Sequence, residues 1–391
     1  MPAPSSETIL LTGVSGFLGR HILWNLLQRA DTETTVYCLL RPEAGVSIEQ
    51  RLHAILAAAN GALPADAGER CHAVSGDIVE SHLFLEPAMH ERLIGEVDRI
   101  VHCAATVKFD LALHEARRIN VDGTRHVLAF AEHLHARGRL RRMDYFSTAF
   151  VAGNTPGCIY EDRLESTQFN NTYERTKWEA EQLVRAAQQR MPITVFRPSI
   201  IVGDSKTGYT SNFRVLYWPL KVLASGLVIV VPADRQGIVD IVPIDYVVEA
   251  FEALSRTDRS VGKCYHLAAG LERQSSCGEL LEMASEFFGV RDPWMIPPHV
   301  SYRFVRPFLY GMFWGKRRRL LRRGELYFPY FAYRGSFDTT TARGDLDGAG
   351  IEAPSVRHYF GNIMRFCVDT DWGRKPPALP SPELRSQPRE E

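Results

Sequence analysis

Cysteine is sparse and unpatterned: seven residues, scattered from Cys38 to Cys367, form no C-x-x-C pair and no His-paired spacing. That excludes a disulfide framework and a structural zinc site, so no metal is expected and a reducing cytoplasm is the compartment that fits. Charge of one sign is missing as well. Lys+Arg and Asp+Glu balance at 46 each, so no global field draws nucleic acid or acidic partners, and any charge-driven contact must be local. Long hydrophobic runs are absent too. The stretch from Tyr217 to Pro232 is interrupted by Lys221 and bounded by Pro219 and Pro232, too short and too broken to span a bilayer. M-P-A-P-S-S-E carries neither a basic n-region nor an apolar h-region, so no signal peptide is expected. There is no internal repeat.

What is present is alternation. At 391 residues the chain can bury a large core. Short apolar runs at Thr35 to Leu40, Cys71 to Ser75, Arg99 to Ala104, Met143 to Thr148 and Ile193 to Arg197 are separated by segments with helical apolar spacing. This pattern predicts right-handed crossovers and an α/β fold, a doubly wound parallel Rossmann sheet. V-D-I-V-P and C-Y-H-L-A would add its last strands. The Gly, Pro and aromatic mixture from Gly203 to Ile238 breaks the alternation and predicts the first piece of a smaller, discontinuous C-terminal substrate lobe. The expected division is 1–202 plus 239–269 for the nucleotide domain, 203–238 plus 270–372 for the lobe, and a disordered tail at 373–391 rich in Pro, Arg and Glu.

The first β-α unit reads T-I-L-L-T-G-V-S-G-F-L-G-R-H-I-L. Gly13 allows a tight bend, Gly16 lets the backbone approach phosphates, and Gly19 lets the next helix pack close to the sheet. Leu18, Ile22 and Leu26, with Leu23 and Leu27 beside them, make that helix amphipathic, and its first N–H groups point at the ligand. A ligand-free glycine turn is the competing reading; the strand before and the helix after favour the dinucleotide. Thr12, Gly13, Ser15, Gly16, Phe17, Leu18 and Gly19 are the contact residues expected here.

Arg41 follows the second strand, where an NAD site carries an acid for the ribose hydroxyls. A cation there suits a 2′-phosphate and favours NADPH over NADH, with Glu43 keeping NADH open. Arg51 is a second phosphate candidate against the reading of an exposed helical arginine. Asp77, beside Ile78, is placed to accept from the adenine amino group, and Ala104 and Ala105 supply small residues beside the cofactor. Pro198, at a later strand end, completes the cofactor set. His102 reads as a packed strand histidine rather than a base.

Tyr173 and Lys177 stand four apart on one face of the helical run Y-E-R-T-K-W-E-A-E. An ammonium beside a phenol is expected to lower the phenol pKa and make it a proton donor and acceptor nearer neutrality. Lys177 can also hold the nicotinamide ribose. Thr148 lies at the carboxyl edge of the sheet and can donate to a substrate carbonyl, although a strand-end hydroxyl also bonds local backbone. Asn120 has two open readings, a structural amide bridge or a proton relay.

In order, T-G-x-x-G-F-L-G, H-C-A-A-T-V-K-F, N-V-D-G-T, S-T-A-F-V-A-G, Y-E-R-T-K, F-R-P-S-I-I-V-G-D and V-P-I-D-Y-V resemble the extended short-chain dehydrogenase/reductases. F-L-G, S-T-A-F-V-A-G and R-P-S-I-I-V-G-D further resemble the fatty acyl-CoA reductases and thioester reductase domains, over about residues 8 to 370. The resemblance implies a triad of Thr148, Tyr173 and Lys177, NADPH as hydride donor, and an acyl thioester substrate on CoA or an acyl carrier protein. The implied product is an aldehyde, with further reduction to alcohol open. Adenylation and carrier domains are not in the chain, so the acid is expected to arrive already activated.

Residues 301 to 333 hold 11 aromatics, against about three at the chain's 10% average, and flank K-R-R-R-L-L-R-R. Aromatic packing with a solvated basic helix face explains this; so does an acyl tunnel with a basic rim for CoA or carrier phosphates, or a peripheral membrane contact on the inner face. No nucleic-acid motif accompanies the basic run. A hydroxysteroid-type dehydrogenase is the enzymatic rival. Sugar-nucleotide dehydratase chemistry is disfavoured because Ala149 and Phe150 follow Thr148. A catalytically idle NADP sensor would not need the triad.

Overall fold

The computed structural model describes residues 6–28, 33–59, 63–166, 168–213, 215–226, 229–297 and 325–375. The basic run at 316–323, most of the aromatic stretch and the tail beyond residue 375 lie outside them.

Strands β1 (Ser6–Thr12), β2 (Glu33–Leu40), β3 (Cys71–Ser75), β4 (Arg99–His102) and β5 (Arg142–Phe146) join the Ile193–Pro198 and Cys264–Leu267 strands in one seven-stranded sheet. Its order is Cys264–Leu267, Ile193–Pro198, β5, β4, β1, β2, β3, and every pairing is parallel. Strand alternation explains why both faces are covered. Ile9, Leu11, Val36, Cys38 and Leu40 point into one apolar layer, while Leu10, Tyr37 and Leu39 point into the other. Helix α1 (Phe17–Gln28) and the Ile244–Ser255 helix cover the first face with Ile22, Leu23, Leu26, Leu27, Val247 and Phe251. The Gly123–Ala136 and Thr172–Gln188 helices cover the second with Val127, Phe130, Ala180 and Val184.

One expected strand goes elsewhere. The V-D-I-V-P segment does not extend the sheet, because Cys264–Leu267 already occupies the edge beside Ile193–Pro198. The chain passes from one partner to the next at a single residue: Ser199 N–H donates to the Leu267 carbonyl at 3.1 Å, and Ile200 N–H to the Asp240 carbonyl at 3.3 Å. Ile241–Pro243 therefore pairs with Ile200–Val202 in a separate two-stranded ribbon.

A third apolar cluster unites the Tyr217–Ala224, Cys277–Phe288 and Val356–Asp369 helices through Tyr217, Leu220, Leu280, Phe360 and Met364. A fourth, with Phe150, Ile159, Tyr330, Tyr333 and Phe337, lies beside Thr148. Ala342 and Leu346 pack with the layer on the main sheet. Among the described residues no helix is long and apolar enough to cross a membrane.

Candidate active site

The strand order reverses between β1 and β4, and ligands of open parallel sheets bind in the crevice at such a point. Gly13 leaves β1 with φ +81°, and a Cβ there would stand 2.6 Å from the Ala104 backbone nitrogen. A Cβ on Gly19 would stand 2.3 Å from the Gly13 carbonyl oxygen, which already accepts the Gly16 N–H at 2.9 Å. Gly13 and Gly19 are thus demanded by the fold itself. Gly16 is different: it is exposed, a Cβ there would meet nothing but that carbonyl at 3.1 Å, and beside exposed Ser15 it leaves backbone open to a phosphate. Phe17 and Leu18 begin α1 partly buried.

Around this turn stand the other expected contacts. Ala104 N–H donates to Thr12 Oγ1 at 3.4 Å, with Ala105 next to it half-buried. Asp77 Oδ1 accepts the Val79 N–H at 3.1 Å, and Ile78 is buried under Gly123. Arg41 is exposed, and its carbonyl accepts from the Arg51 guanidinium, which also pairs with Glu43 at 3.4 Å. Two arginines thus meet at the end of β2. Buried Pro198 receives the Thr148 hydroxyl at its carbonyl, 3.4 Å away.

Tyr173 and Lys177 sit on the Thr172–Gln188 helix, started by Asn171, whose side chain accepts the Glu174 N–H at 3.0 Å. The helix is pinned to the sheet by Glu181, which pairs with buried Arg197 at 2.6 Å. Burial alone would raise the Glu181 pKa, but the Arg197 charge outweighs it and holds the group down to about 2. Lys177 is buried; its Nζ donates to the Tyr145 hydroxyl at 2.9 Å and the Phe146 carbonyl at 2.7 Å. Two of its three donors are taken by these protein groups. Burial brings its pKa down to about 8.

Tyr173 departs from expectation. Desolvation pushes its phenol up to about 12, offset in part by the neighbouring Thr148 hydroxyl, and Lys177 is not among the groups that shift it. The lysine's charge is turned toward Tyr145 instead, so the predicted depression of the phenol is absent. Thr148, extended at φ −151°, also accepts the Phe150 N–H at 3.3 Å.

Asn120 lies buried in a π-turn, Arg118–Asp122. Its side-chain carbonyl accepts the Thr106 N–H at 2.8 Å, and its amide donates to the Thr106 carbonyl at 3.2 Å and Thr176 Oγ1 at 2.9 Å. Every amide hydrogen is committed, which favours the structural bridge. His102 is buried between Thr12 and Thr124, and burial drives its pKa down to about 3.

Sequence reasoning missed an aromatic wall. Phe109 stacks on Tyr173 with ring centroids 5.9 Å apart and on Tyr330 at 5.6 Å; Tyr327 then bridges Phe109 and Trp218 at 6.0 and 5.8 Å. Tyr330 donates to Glu174 and accepts from Asn171 at 2.7 Å. The aromatic enrichment was the available signal, but not its approach to Phe109, which is about 220 residues away in sequence.

A Rossmann sheet with a glycine turn at its switch point and a Tyr, Lys and Thr group beside it defines a nicotinamide-dependent oxidoreductase. The male sterility protein family matches residues 11–251, and the chain belongs to that family. It is 32% identical over 240 residues to the isonitrile lipopeptide synthase of Mycobacterium tuberculosis, covering 57% of this chain and 9% of that protein. Against human fatty acyl-CoA reductase 1 the identity is 27% over 278 residues, covering 62% of this chain and 53% of the relative. The chain thus spans about half, or far less, of these relatives' length. The solved terminal R domain of the myxalamid PKS-NRPS pathway superposes with a TM-score of 0.79 at 28% identity, covering 96% of this chain and 94% of that one.

Proposed function

We propose that the protein reduces acyl thioesters, carried by CoA or an acyl carrier protein, to aldehydes with NADPH, and that Thr148, Tyr173 and Lys177 are its catalytic residues. What supports this most is the position of Tyr173, between the Thr148 hydroxyl on one side and the Phe109 ring on the other. An apolar acyl chain lies well along such a wall while its carbonyl meets two hydroxyls. The likeness to an R domain across nearly all of both chains supports the thioester.

The residues at the switch point suit a dinucleotide: the glycine turn leaves space at Gly16, α1 aims its first N–H groups outward, and Lys177 keeps one donor for a ribose hydroxyl. Thr12, Gly13, Ser15, Gly16, Phe17, Leu18 and Gly19 hold the pyrophosphate side. Asp77, Ile78, Ala104, Ala105 and Pro198 line the remainder, and Arg41 with Arg51 selects the 2′-phosphate. When bound, the reduced nicotinamide supplies a hydride. Thr148 and Tyr173 hydrogen-bond the oxygen on which charge develops, and Tyr173, protonated throughout the neutral range, delivers a proton to it. Collapse of the resulting hemithioacetal breaks the carbon–sulfur bond and releases thiol and aldehyde. A second round on the aldehyde would give the alcohol. Asn120 acts by holding the 103–110 loop. We assign 1–202 plus 239–269 to nucleotide binding and 203–238 plus 270–372 to substrate binding, with Ala342 and Leu346 serving the nucleotide side.

Incubation with NADPH and a panel of acyl-CoAs, sterols and UDP-sugars tests the reading by following cofactor oxidation and free thiol together. Thiol appearing with NADPH loss is expected. NADPH loss only with a ketosteroid would replace thioester reduction by the hydroxysteroid-type reaction.

A further inference from the structure

Tyr173 is the second residue of its helix, and a first helical turn frays unless its orphan groups are held. Asn171 caps that turn by accepting the Glu174 N–H, and buried Glu174 closes it from the other side by accepting the Asn170 N–H at 2.8 Å. One hydroxyl grips both residues. Tyr330 donates to Glu174 Oε1 and accepts from the Asn171 amide at 2.7 Å, so Tyr173 stands in sequence between the two residues that Tyr330 joins.

Tyr330 comes from the other side of the site. It lies in the Phe328–Ala332 turn, where the Phe331 carbonyl accepts the Asp234 N–H at 2.9 Å, and just beyond it the Tyr333 carbonyl accepts the Ile238 N–H at 2.8 Å. Its ring stacks on Phe109 at 24° between planes, and Phe109 stacks on Tyr173 at 26°. Thr172 holds the same loop by donating to the Phe109 and Leu111 carbonyls at 3.2 and 3.0 Å. Three rings thus form one pile, tied at both ends to the start of the catalytic helix.

A buried carboxylate is stable only while donors meet it. Among the described residues the donors on Glu174 are neutral: the Tyr330 hydroxyl, the Asn170 N–H, and the side-chain amides of Asn170 and Asn171 at 3.3 and 3.4 Å. Burial raises the Glu174 pKa, and the Tyr330 bond is the largest of the contacts that oppose it. The Tyr330 hydroxyl is therefore the strongest hold on the residue next to Tyr173.

We propose that Tyr330 is a positioning residue for Tyr173: its hydroxyl completes the cap of the catalytic helix through Asn171 and Glu174, and its ring backs Phe109 against the phenol. The segment that carries Tyr330 thereby fixes the phenol beside Thr148 and joins the aromatic wall to it.

The inference rests on the assignment of Tyr173 to catalysis, and the first part of its test needs no substrate. Tyr330→Phe keeps the ring and removes only the hydroxyl. Amide hydrogen exchange over residues 169–175 should then speed up by about tenfold, while exchange over 180–184 in the middle of the same helix stays as in wild type. With NADPH and a long-chain acyl-CoA, kcat should fall by about tenfold and KM should stay within about twofold. Tyr330→Leu removes the ring as well and should also raise KM, by about three- to tenfold. Unaltered exchange at 169–175, or equal acceleration along the whole helix, overturns the proposal even if turnover drops. Wild-type kcat in Tyr330→Phe overturns it too. Should that variant not fold, Asn171→Ser decides, since serine keeps the cap acceptor but lacks the amide that reaches Tyr330 and Glu174; unaltered exchange and kcat there overturn the proposal. A wild type that releases no thiol from any acyl thioester would instead overturn thioester reduction, while the exchange pattern still decides whether Tyr330 holds the helix start.

Discussion

Replacing Asn120 by alanine separates its two readings. The side chain makes three bonds, two to the Thr106 backbone and one to Thr176, and thereby joins the loop after β4 to the helix that carries Tyr173 and Lys177. Each such bond is worth about 1 kcal/mol net. Thr176 Oγ1 keeps the Thr172 carbonyl as a partner at 2.8 Å, so the penalty falls mainly on the Thr106 amide groups. A loss of about 2–4 kcal/mol in unfolding free energy is expected. Urea unfolding should show it as a lower midpoint at an unchanged slope. A double-mutant cycle with Thr176→Val should return a coupling of about 0.5–3 kcal/mol. Turnover should fall less than in Tyr173→Phe, since the loop's Phe109 loosens while the hydroxyls remain. An unchanged midpoint combined with a turnover loss equal to that of Tyr173→Phe would refute the bridge and make Asn120 a proton carrier.

Four further outcomes are expected. Tyr173→Phe should reduce turnover by about 10²–10⁴-fold with dinucleotide affinity nearly intact by fluorescence titration; full activity would remove the proton donor. Gly19→Ala places a Cβ 2.3 Å from the Gly13 carbonyl, so α1 must move off the turn and NADPH affinity should drop by at least about tenfold, measured calorimetrically. Arg41→Glu should lower the NADPH over NADH preference in kcat/KM by at least about tenfold; an unchanged ratio would place the 2′-phosphate elsewhere. Burial raises Glu161 from 4.5 to about 7 and Asp98 from 3.8 to about 6. Both hold protons in the folded state that the unfolded chain has released, so their contribution is fully present below the unfolded values and is lost as pH rises toward 7. The unfolding free energy should decline across that window, by up to about 3 kcal/mol for Glu161, and Glu161→Gln should flatten the decline.

The strand alternation and the glycine spacing were legible because both are local. The apolar run V-Y-C-L-L marks a strand before any fold is known, and the structure sends Val36, Cys38 and Leu40 to one layer and Tyr37 and Leu39 to the other. V-D-I-V-P shows the limit of such local signals: its residues suit a strand, but the edge was already filled by Cys264–Leu267, a competition that periodicity does not express. The Lys177 and Tyr173 pair shows another. Helical spacing places the two on one face, yet whether the ammonium acts on that phenol depends on a third group, Tyr145, which arrives from β5.

Chain order alone therefore determined the parallel sheet, the turn after β1 and the helix bearing Tyr173 and Lys177, because each follows from contacts within a few residues or from a single apolar period. Tertiary structure decided where the lysine's charge is spent, how Asn120 uses its amide, and that Phe109 and Tyr330 wall the site. Those outcomes depend on which buried donors and acceptors meet once distant strands and loops converge, and on the desolvation that only a closed interior imposes.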